Sequence, residues 1–126
     1  MQFAKIEDII AAIGRGEMVI MVDDEDRENE GDLIFAAAAA DTQKMGFMLR
    51  HSSGIICMPI EGDRLDELEL PMMVARNTDV RRTAFTISID AAEGTTTGIS
   101  AADRARTVLA VLDPETGPED LARPGH

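Results

Sequence analysis

The sequence has no tryptophan, no tyrosine and only half as many basic as acidic residues. Its 12 Lys and Arg against 24 Asp and Glu give a formal net charge of −12. Proteins that bind nucleic acid need a basic surface, and many use aromatic side chains that stack on bases. We therefore expect no nucleic-acid partner. An anionic small ligand would need a metal ion or a few well-placed donors to reverse the local field.

Long apolar runs and cysteine pairs are also missing. No run approaches the roughly 20 apolar residues of a membrane span, and residues 1–5 lack the basic and apolar segments of a secretory signal. The single cysteine, Cys57, excludes an intramolecular disulfide and agrees with a reducing compartment. We expect a cytoplasmic protein without membrane contact, in which Cys57 is a small buried residue on a strand.

The sequence does contain a dense acidic segment, residues 23–32, which reads DDEDRENEGD. Seven acidic residues and one basic residue give it a net charge of −6, half of the charge of the chain. Apolar residues at 18–22 and 33–35 predict a strand on each side, so the segment is a turn at the edge of a packed core. It is either a solvated loop or a site for a hard cation such as Mg²⁺, which prefers carboxylate oxygens.

Two other metal sites are excluded by spacing. In an EF-hand loop that begins at Asp26, position twelve would be Ala37 instead of glutamate. One cysteine and two histidines give no zinc pattern.

The length of 126 residues predicts one domain, residues 1–126. Isoleucines at positions 6, 9, 10 and 13 predict an amphipathic helix whose stripe packs on the core. Ser100 and Asp103 form a capping-box pattern that opens a second helix, and a third is predicted over 42–50. Apolar residues predict strands over 55–58 and 85–89, the second with clean alternation. We expect an α+β, sandwich-like domain, a mixed β-sheet with helices packed on it.

The acidic segment resembles the signature of the 3,4-dihydroxy-2-butanone 4-phosphate synthase family. Further blocks look like those of the family, in the same order: HSSGIIC at 51–57, LPMM at 70–73, AAEG at 91–94, TTGISAADR at 96–104 and RPGH at 123–126. The resemblance implies the fold of that family and a homodimer. It also implies a Mg²⁺-dependent lyase, with Mn²⁺ as a substitute metal, that converts D-ribulose 5-phosphate to 3,4-dihydroxy-2-butanone 4-phosphate and formate in riboflavin biosynthesis.

The resemblance also implies roles for individual residues. Glu28 would be a ligand of the catalytic Mg²⁺ and would contact the substrate. Arg27 and Asp32 would hold the sugar phosphate, and Asp23 would lie near the reacting carbons. His126 would act as an acid or base, for which histidine is suited near neutral pH. Three further residues would line or approach the site: Ser53, Cys57 and Thr97.

In the family, a later segment supplies a second metal ligand, phosphate contacts and a catalytic glutamate. The sequence has no match to that segment, so we expect an incomplete synthase domain with weak or absent turnover by itself. The rival hypothesis is a non-catalytic acidic module that binds a divalent cation or a partner protein. We further expect the acidic segment and the basic loop 75–82 to be mobile until metal and substrate bind together.

Overall fold

The computed structural model describes residues 3–126 and combines helices with short strands. The elements are α1 (Ile6–Gly14), β1 (Val19–Val22), β2 (Gly31–Ile34), α2 (Thr42–His51), α3 (Gly62–Glu67), β3 (Asp90–Ala91), α4 (Ala101–Leu112) and β4 (Leu121–Ala122). Single 3-10 turns lie at Ala37–Ala39 and Pro118–Asp120. The predicted α+β class is confirmed.

The strands form two antiparallel pairs within the described residues. β1 pairs with β2 so that Val19 faces Ile34 and Val22 faces Gly31, which makes the acidic segment the connection of a hairpin, as predicted. β3 pairs with β4, with Asp90 opposite Ala122. This second pair brings the carboxyl end of the chain against residues 88–90.

Residues 55–58 and 85–89, both predicted as strands, are not strands in the structure. A strand requires a partner that satisfies its backbone groups at regular intervals. Residues 85–89 have only an isolated bridge, between Thr86 and Met72, supported by a hydrogen bond from Met73 N to Phe85 O. For residues 55–58, no strand lies beside them in the part of the chain that the structure describes.

The amphipathic helix α4 joins two buried clusters. Val111 packs with Leu68, Leu70 and Leu121, whereas Ala105 packs with another group, Ala40 and Met45. The Ser100 hydroxyl accepts a hydrogen bond from Asp103 N at 3.0 Å and thereby caps the helix, as predicted. At its other end, Arg64 of α3 donates to the carbonyl oxygens of Asp113, Thr116 and Val111. These contacts fix α4, whose first turn supports the site.

Helix α1 forms over the predicted residues, but its isoleucine stripe is not buried. Ile6 and Ile10 are 62% and 64% exposed, and no residue of α1 is buried. Ile9 and Ile13 are half-buried, and the main contact of α1 among the described elements is with β1. The prediction that the whole stripe packs on the core is therefore wrong. No helix in the described part of the chain is long and apolar enough to cross a bilayer.

Candidate active site

The acidic segment is organised by one of its own carboxylates, that of Asp23. Its oxygens accept hydrogen bonds from the backbone N–H groups of Glu28 and Glu30, both at 3.0 Å, and from Arg27 Nη1 at 2.9 Å. The N–H of Glu30, followed by that of Glu28 and by Arg27, lowers the pKa of Asp23. Asn29 has a φ of 53°, a left-handed conformation that asparagine tolerates in turns. The hydrogen bonds to Asp23 thus give the segment a defined turn geometry, and its predicted mobility before ligand binding stays a prediction.

Glu28 presents its carboxylate beside two guanidinium groups. Its Oε1 lies 3.0 Å from Arg81 Nε, and its Oε2 lies 3.5 Å from Arg27 Nη1. Arg81 also donates to the carbonyl oxygen of Arg27, which connects loop 75–82 to the acidic turn. Asp32 lies on β2 opposite Met21, with its side chain exposed.

A second group of candidate residues lies at the carboxyl end of the chain, where His126 meets the buried Asp90. His126 Nδ1 lies 2.8 Å from Asp90 Oδ2, and the His126 backbone N–H donates to Asp90 Oδ1 at 3.0 Å. Because an ionised carboxylate only accepts hydrogen bonds, this contact assigns the proton of the neutral imidazole to Nδ1 and leaves Nε2 as the acceptor. The Asp90 side chain is 10% exposed and the His126 side chain 41% exposed, so a buried carboxylate anchors an imidazole that reaches the surface.

Close backbone packing positions this pair. Gly125 N donates to Ser88 O at 3.0 Å, and the Ser88 hydroxyl donates to Gly125 O at 2.8 Å. A Cβ on Gly125 would lie 2.0 Å from the carbonyl carbon of Ile89. Gly98 packs equally closely on Asp90, since a Cβ there would lie 2.0 Å from Asp90 Oδ2. Gly98 also has a φ of 91°, which favours glycine.

His126 opens onto a largely apolar cleft of about 440 Å³. The polar residues that line it include Cys57, Thr86, Ser88 and Arg104. Arg104 donates from Nε to Ile99 O at 2.9 Å and lies with Nη1 3.5 Å from His126 O. A larger and more open depression, of about 710 Å³, lies between α2 and α4 but contains none of the predicted site residues. The cleft beside His126 is therefore the better candidate.

Cys57 lies on the wall of this cleft and is exposed, so the prediction of a buried strand residue is wrong. The partial desolvation of the sulfur, followed by the negative charge of Asp32, raises the pKa of the thiol. The thiol stays protonated at neutral pH, which argues against a nucleophilic role.

The structure does not bring every predicted residue into this cleft. Of the predicted site residues, Cys57 and His126 line it, whereas the acidic-turn residues Asp23, Arg27, Glu28 and Asp32 do not. Ser53 and Thr97 are exposed and are also absent from the lining. Thr97 belongs to the loop over residues 94–98, which packs on Asp90 through Gly98. The roles of Ser53 and Thr97 stay predictions.

The donor set of the acidic turn suits a hard cation only in part. Among the described residues, no group of three or more His, Cys, Asp or Glu side chains converges in a way that could hold a metal ion. Mg²⁺, however, commonly takes one or two protein carboxylates and completes its shell with water and substrate oxygens. Glu28, whose side chain is 31% exposed, fits such a partial site.

The loop 94–98 is held by the buried carboxylate of Asp103. It accepts hydrogen bonds from the Thr96 hydroxyl at 2.8 Å and from Gly98 N at 3.1 Å. Asp103 does not reach back to Ser100 N, so only half of the predicted capping box forms. The Thr96 hydroxyl, followed by the Thr96 and Gly98 N–H groups, lowers the pKa of Asp103. Since Gly98 packs on Asp90, Asp103 supports the Asp90–His126 pair indirectly.

We expect Asp103→Asn to lower Tm by several degrees at neutral pH, because an amide cannot accept all of these hydrogen bonds. Folding lowers the pKa of Asp103. Its contribution to the stability of the folded state is therefore complete above the ordinary aspartate pKa of about 3.9 and is lost as pH falls through the lower folded value. Thermal unfolding measures the change in Tm at neutral pH, and urea unfolding at several pH values measures the free energy of unfolding of wild type and variant. The difference in the free energy of unfolding between wild type and variant should be constant near neutral pH and shrink in acid. A difference that persists unchanged in acid would contradict the stabilising role of the ionised Asp103 carboxylate.

Sequence reasoning missed Asp90 and Arg81. The signal for Asp90 was the alternation over residues 85–90, whose polar phase contains Ser88 and Asp90, the two residues that contact the carboxyl end of the chain. Arg81 had no such signal, since its contact with Glu28 depends on how loop 75–82 folds back.

Comparison with known proteins agrees with the resemblance seen in the sequence. The family model for 3,4-dihydroxy-2-butanone 4-phosphate synthase matches residues 7–126. A 3,4-dihydroxy-2-butanone 4-phosphate synthase from Agrobacterium fabrum (strain C58) is 59% identical over 126 residues, which cover the whole chain and 59% of that protein. The chain therefore spans somewhat more than half the length of this relative.

Solved structures give the same result for the fold. A 3,4-dihydroxy-2-butanone 4-phosphate synthase in complex with two magnesium ions is 50% identical with a TM-score of 0.94, over 98% of this chain and 58% of that one. A cation-free form of such a synthase is 46% identical with a TM-score of 0.88, over 99% of this chain and 57% of that one. The predicted fold of the family is confirmed.

Proposed function

This chain belongs to the 3,4-dihydroxy-2-butanone 4-phosphate synthase family, and we propose that the full-length protein that carries it is a Mg²⁺-dependent lyase of riboflavin biosynthesis. Its substrate is D-ribulose 5-phosphate, and its products are 3,4-dihydroxy-2-butanone 4-phosphate and formate. The observation that carries the proposal is the family match over residues 7–126, a range that contains both the acidic turn and the Asp90–His126 pair. The rival hypothesis of a non-catalytic module is not favoured, because its only support is acidity.

The proposed reaction needs proton transfers and no redox partner. The two products together contain all the atoms of ribulose 5-phosphate, so no oxidant or reductant enters. Enolisation, loss of water, migration of the skeleton and release of C4 as formate, the last with uptake of one water, each move protons between adjacent oxygen-bearing carbons. A histidine that holds one tautomer and faces a cleft is suited to this work.

We assign His126 Nε2 as the atom that accepts and returns these protons. Asp90 supports this role as a positioning residue, because it keeps the proton on Nδ1 and stabilises the imidazolium that forms. Arg104, which lines the same cleft, adds positive charge near His126 and favours an anionic substrate. Arg27 and Asp32 would hold the phosphate from the acidic turn.

Glu28 would hold the metal, together with substrate oxygens and water. When bound, Mg²⁺ would polarise the carbonyl of the substrate and stabilise enediolate charge. The Asp23 carboxylate accepts the backbone N–H groups of Glu28 and Glu30 and so holds the turn from which the Glu28 side chain extends. The negative charge of the segment favours a divalent cation over an anion until that cation binds.

Formate release from ribulose 5-phosphate by the full-length protein tests the proposal. We expect turnover in Mg²⁺, its loss after removal of metal with EDTA, and its return when Mg²⁺ or Mn²⁺ is added back, because the metal would stabilise the enediolate charge. Ribose 5-phosphate, an aldose without the C2 carbonyl, is the matched control substrate. Turnover that is unaffected by EDTA, or absence of formate with metal present, would reject the proposal.

We also propose a homodimer in the cytoplasm, for which the support is indirect. Met72, Met73 and Val74 are each about half exposed, at 50%, 49% and 52%, and form an apolar surface next to the isolated bridge. A surface of this composition suits a second copy of the chain. Light scattering of the full-length protein measures the oligomeric state directly.

A further inference from the structure

The carboxylate proposed to bind the metal, that of Glu28, is engaged by arginine on both oxygens. Arg81 Nε lies 3.0 Å from Oε1, and Arg27 Nη1 lies 3.5 Å from Oε2. Arg27 belongs to the acidic turn itself, whereas Arg81 comes from loop 75–82. The contact with Arg81 is therefore the one that can be broken by moving a separate segment.

A divalent cation and a guanidinium group compete for the same oxygen. Mg²⁺ sits about 2.0–2.1 Å from its ligand oxygens and repels a positive charge in hydrogen-bonding position on the same atom. We propose that Arg81 occupies the Glu28 carboxylate in the cation-free protein, so that a divalent cation binds there only as Arg81 leaves and loop 75–82 separates from the acidic turn. This inference rests on the proposed function, because it takes Glu28 as the metal ligand.

The contacts of the loop are suited to such a release. All of residues 71–85 are exposed, and Val80 at the tip is 97% exposed, so no apolar side chain holds the loop down. Within the loop, Asp79 accepts from Thr83 N and Asn77 Oδ1 accepts from Asp79 N, so its local shape does not depend on the acidic turn. Arg81 bridges to the turn through Glu28 and the carbonyl oxygen of Arg27.

The strength of the contact also permits displacement. The side chains of Arg81 and Glu28 are 38% and 31% exposed. An ion pair with this much solvent access changes an equilibrium by about two- to fivefold, which a cation can overcome. The pair therefore tunes the affinity for the cation without preventing binding.

The test compares Mg²⁺ binding by the full-length protein with that of Arg81→Gln, by isothermal titration calorimetry without substrate. Arg82→Gln is the matched control, since it removes the same charge one residue away and Arg82 makes no ion pair within the described residues. We expect Arg81→Gln to bind Mg²⁺ about two- to fivefold more tightly than Arg82→Gln. Equal affinities in the two variants would overturn the proposal, because only the change in net charge would then matter.

Hydrogen exchange gives a second measurement that does not depend on affinity. Peptides covering loop 75–82 should exchange faster when Mg²⁺ alone is added to the wild type, and should be equally fast with and without Mg²⁺ in Arg81→Gln. Unchanged exchange in the wild type at saturating Mg²⁺ would overturn the release of the loop. A third variant, Glu28→Gln, tests the proposed function separately. If it binds Mg²⁺ as tightly as the wild type, Glu28 is not the metal ligand. If it loses Mg²⁺ binding while Arg81→Gln and Arg82→Gln have equal Mg²⁺ affinities, only the role of Arg81 is rejected.

Discussion

His126→Gln is expected to lower kcat of the full-length enzyme by about 10²–10⁴-fold, the usual contribution of a general acid–base group. Glutamine retains hydrogen-bonding capacity near Asp90 but cannot accept and return a proton at the pH of the assay. His126 is assigned proton transfer and no contact with the metal, so Mg²⁺ affinity should change little. Formate release under saturating substrate measures kcat directly.

Asp90→Asn should produce a loss in the same range, although Asp90 does not touch the substrate. The amide of asparagine can donate to Nδ1, which moves the proton to Nε2 and removes the acceptor that the reaction needs; a comparable change in a serine protease triad costs about 10⁴-fold. Nitrogen NMR of the His126 ring distinguishes the two tautomers and would not respond to a merely structural role.

Asp66→Asn is the matched control, because Asp66 is an exposed aspartate on α3 and lies outside the cleft. It should retain full activity and an unchanged tautomer. If Asp90→Asn kept both its kcat and the proton on Nδ1, the assignment of Asp90 as a positioning residue would be wrong. Full activity in His126→Gln would remove His126 from the mechanism.

Local patterns predicted the parts of the fold that depend on neighbouring residues. The Asp41 side chain accepts from Lys44 N at 2.7 Å and begins α2 at the predicted residue. Ser100 begins α4 in the same way. Apolar residues on each side of the acidic segment predicted its hairpin. Each of these features is decided within a few residues, where spacing and capping chemistry act.

Contacts between distant segments could not be read in the same way. His126 and Asp90 are 36 residues apart, and nothing in either local sequence states that they pair. Burial also depends on which segments come together, and so the isoleucine stripe of α1 formed a helix but left Ile6 and Ile10 exposed. The resemblance to the family supplied His126 and Glu28, whereas their partners Asp90 and Arg81 required the structure.

Gly125→Ala is expected to lower kcat by about 10²-fold without changing the chemistry of any side chain in the site. A Cβ at this position would lie 2.0 Å from Ile89 C and 2.3 Å from Asp90 N, both backbone atoms that cannot rotate away. The segment that carries His126 must therefore move by about 1 Å, and a shift of that size at a reacting group costs about 10²-fold. Formate release measures the effect, with thermal unfolding as the check that the variant stays folded.

Two further variants separate displacement of His126 from general destabilisation. Gly62→Ala adds a methyl group where no atom lies within 4 Å, so it should leave activity unchanged. Ser88→Ala removes the hydroxyl that donates to Gly125 O at 2.8 Å without adding bulk. It should lower kcat only about fivefold, the equivalent of one hydrogen bond of about 1 kcal/mol. The expected order of activity is thus Gly62→Ala, Ser88→Ala and Gly125→Ala; full activity in a folded Gly125→Ala variant would mean that the position of His126 relative to Asp90 does not limit the reaction.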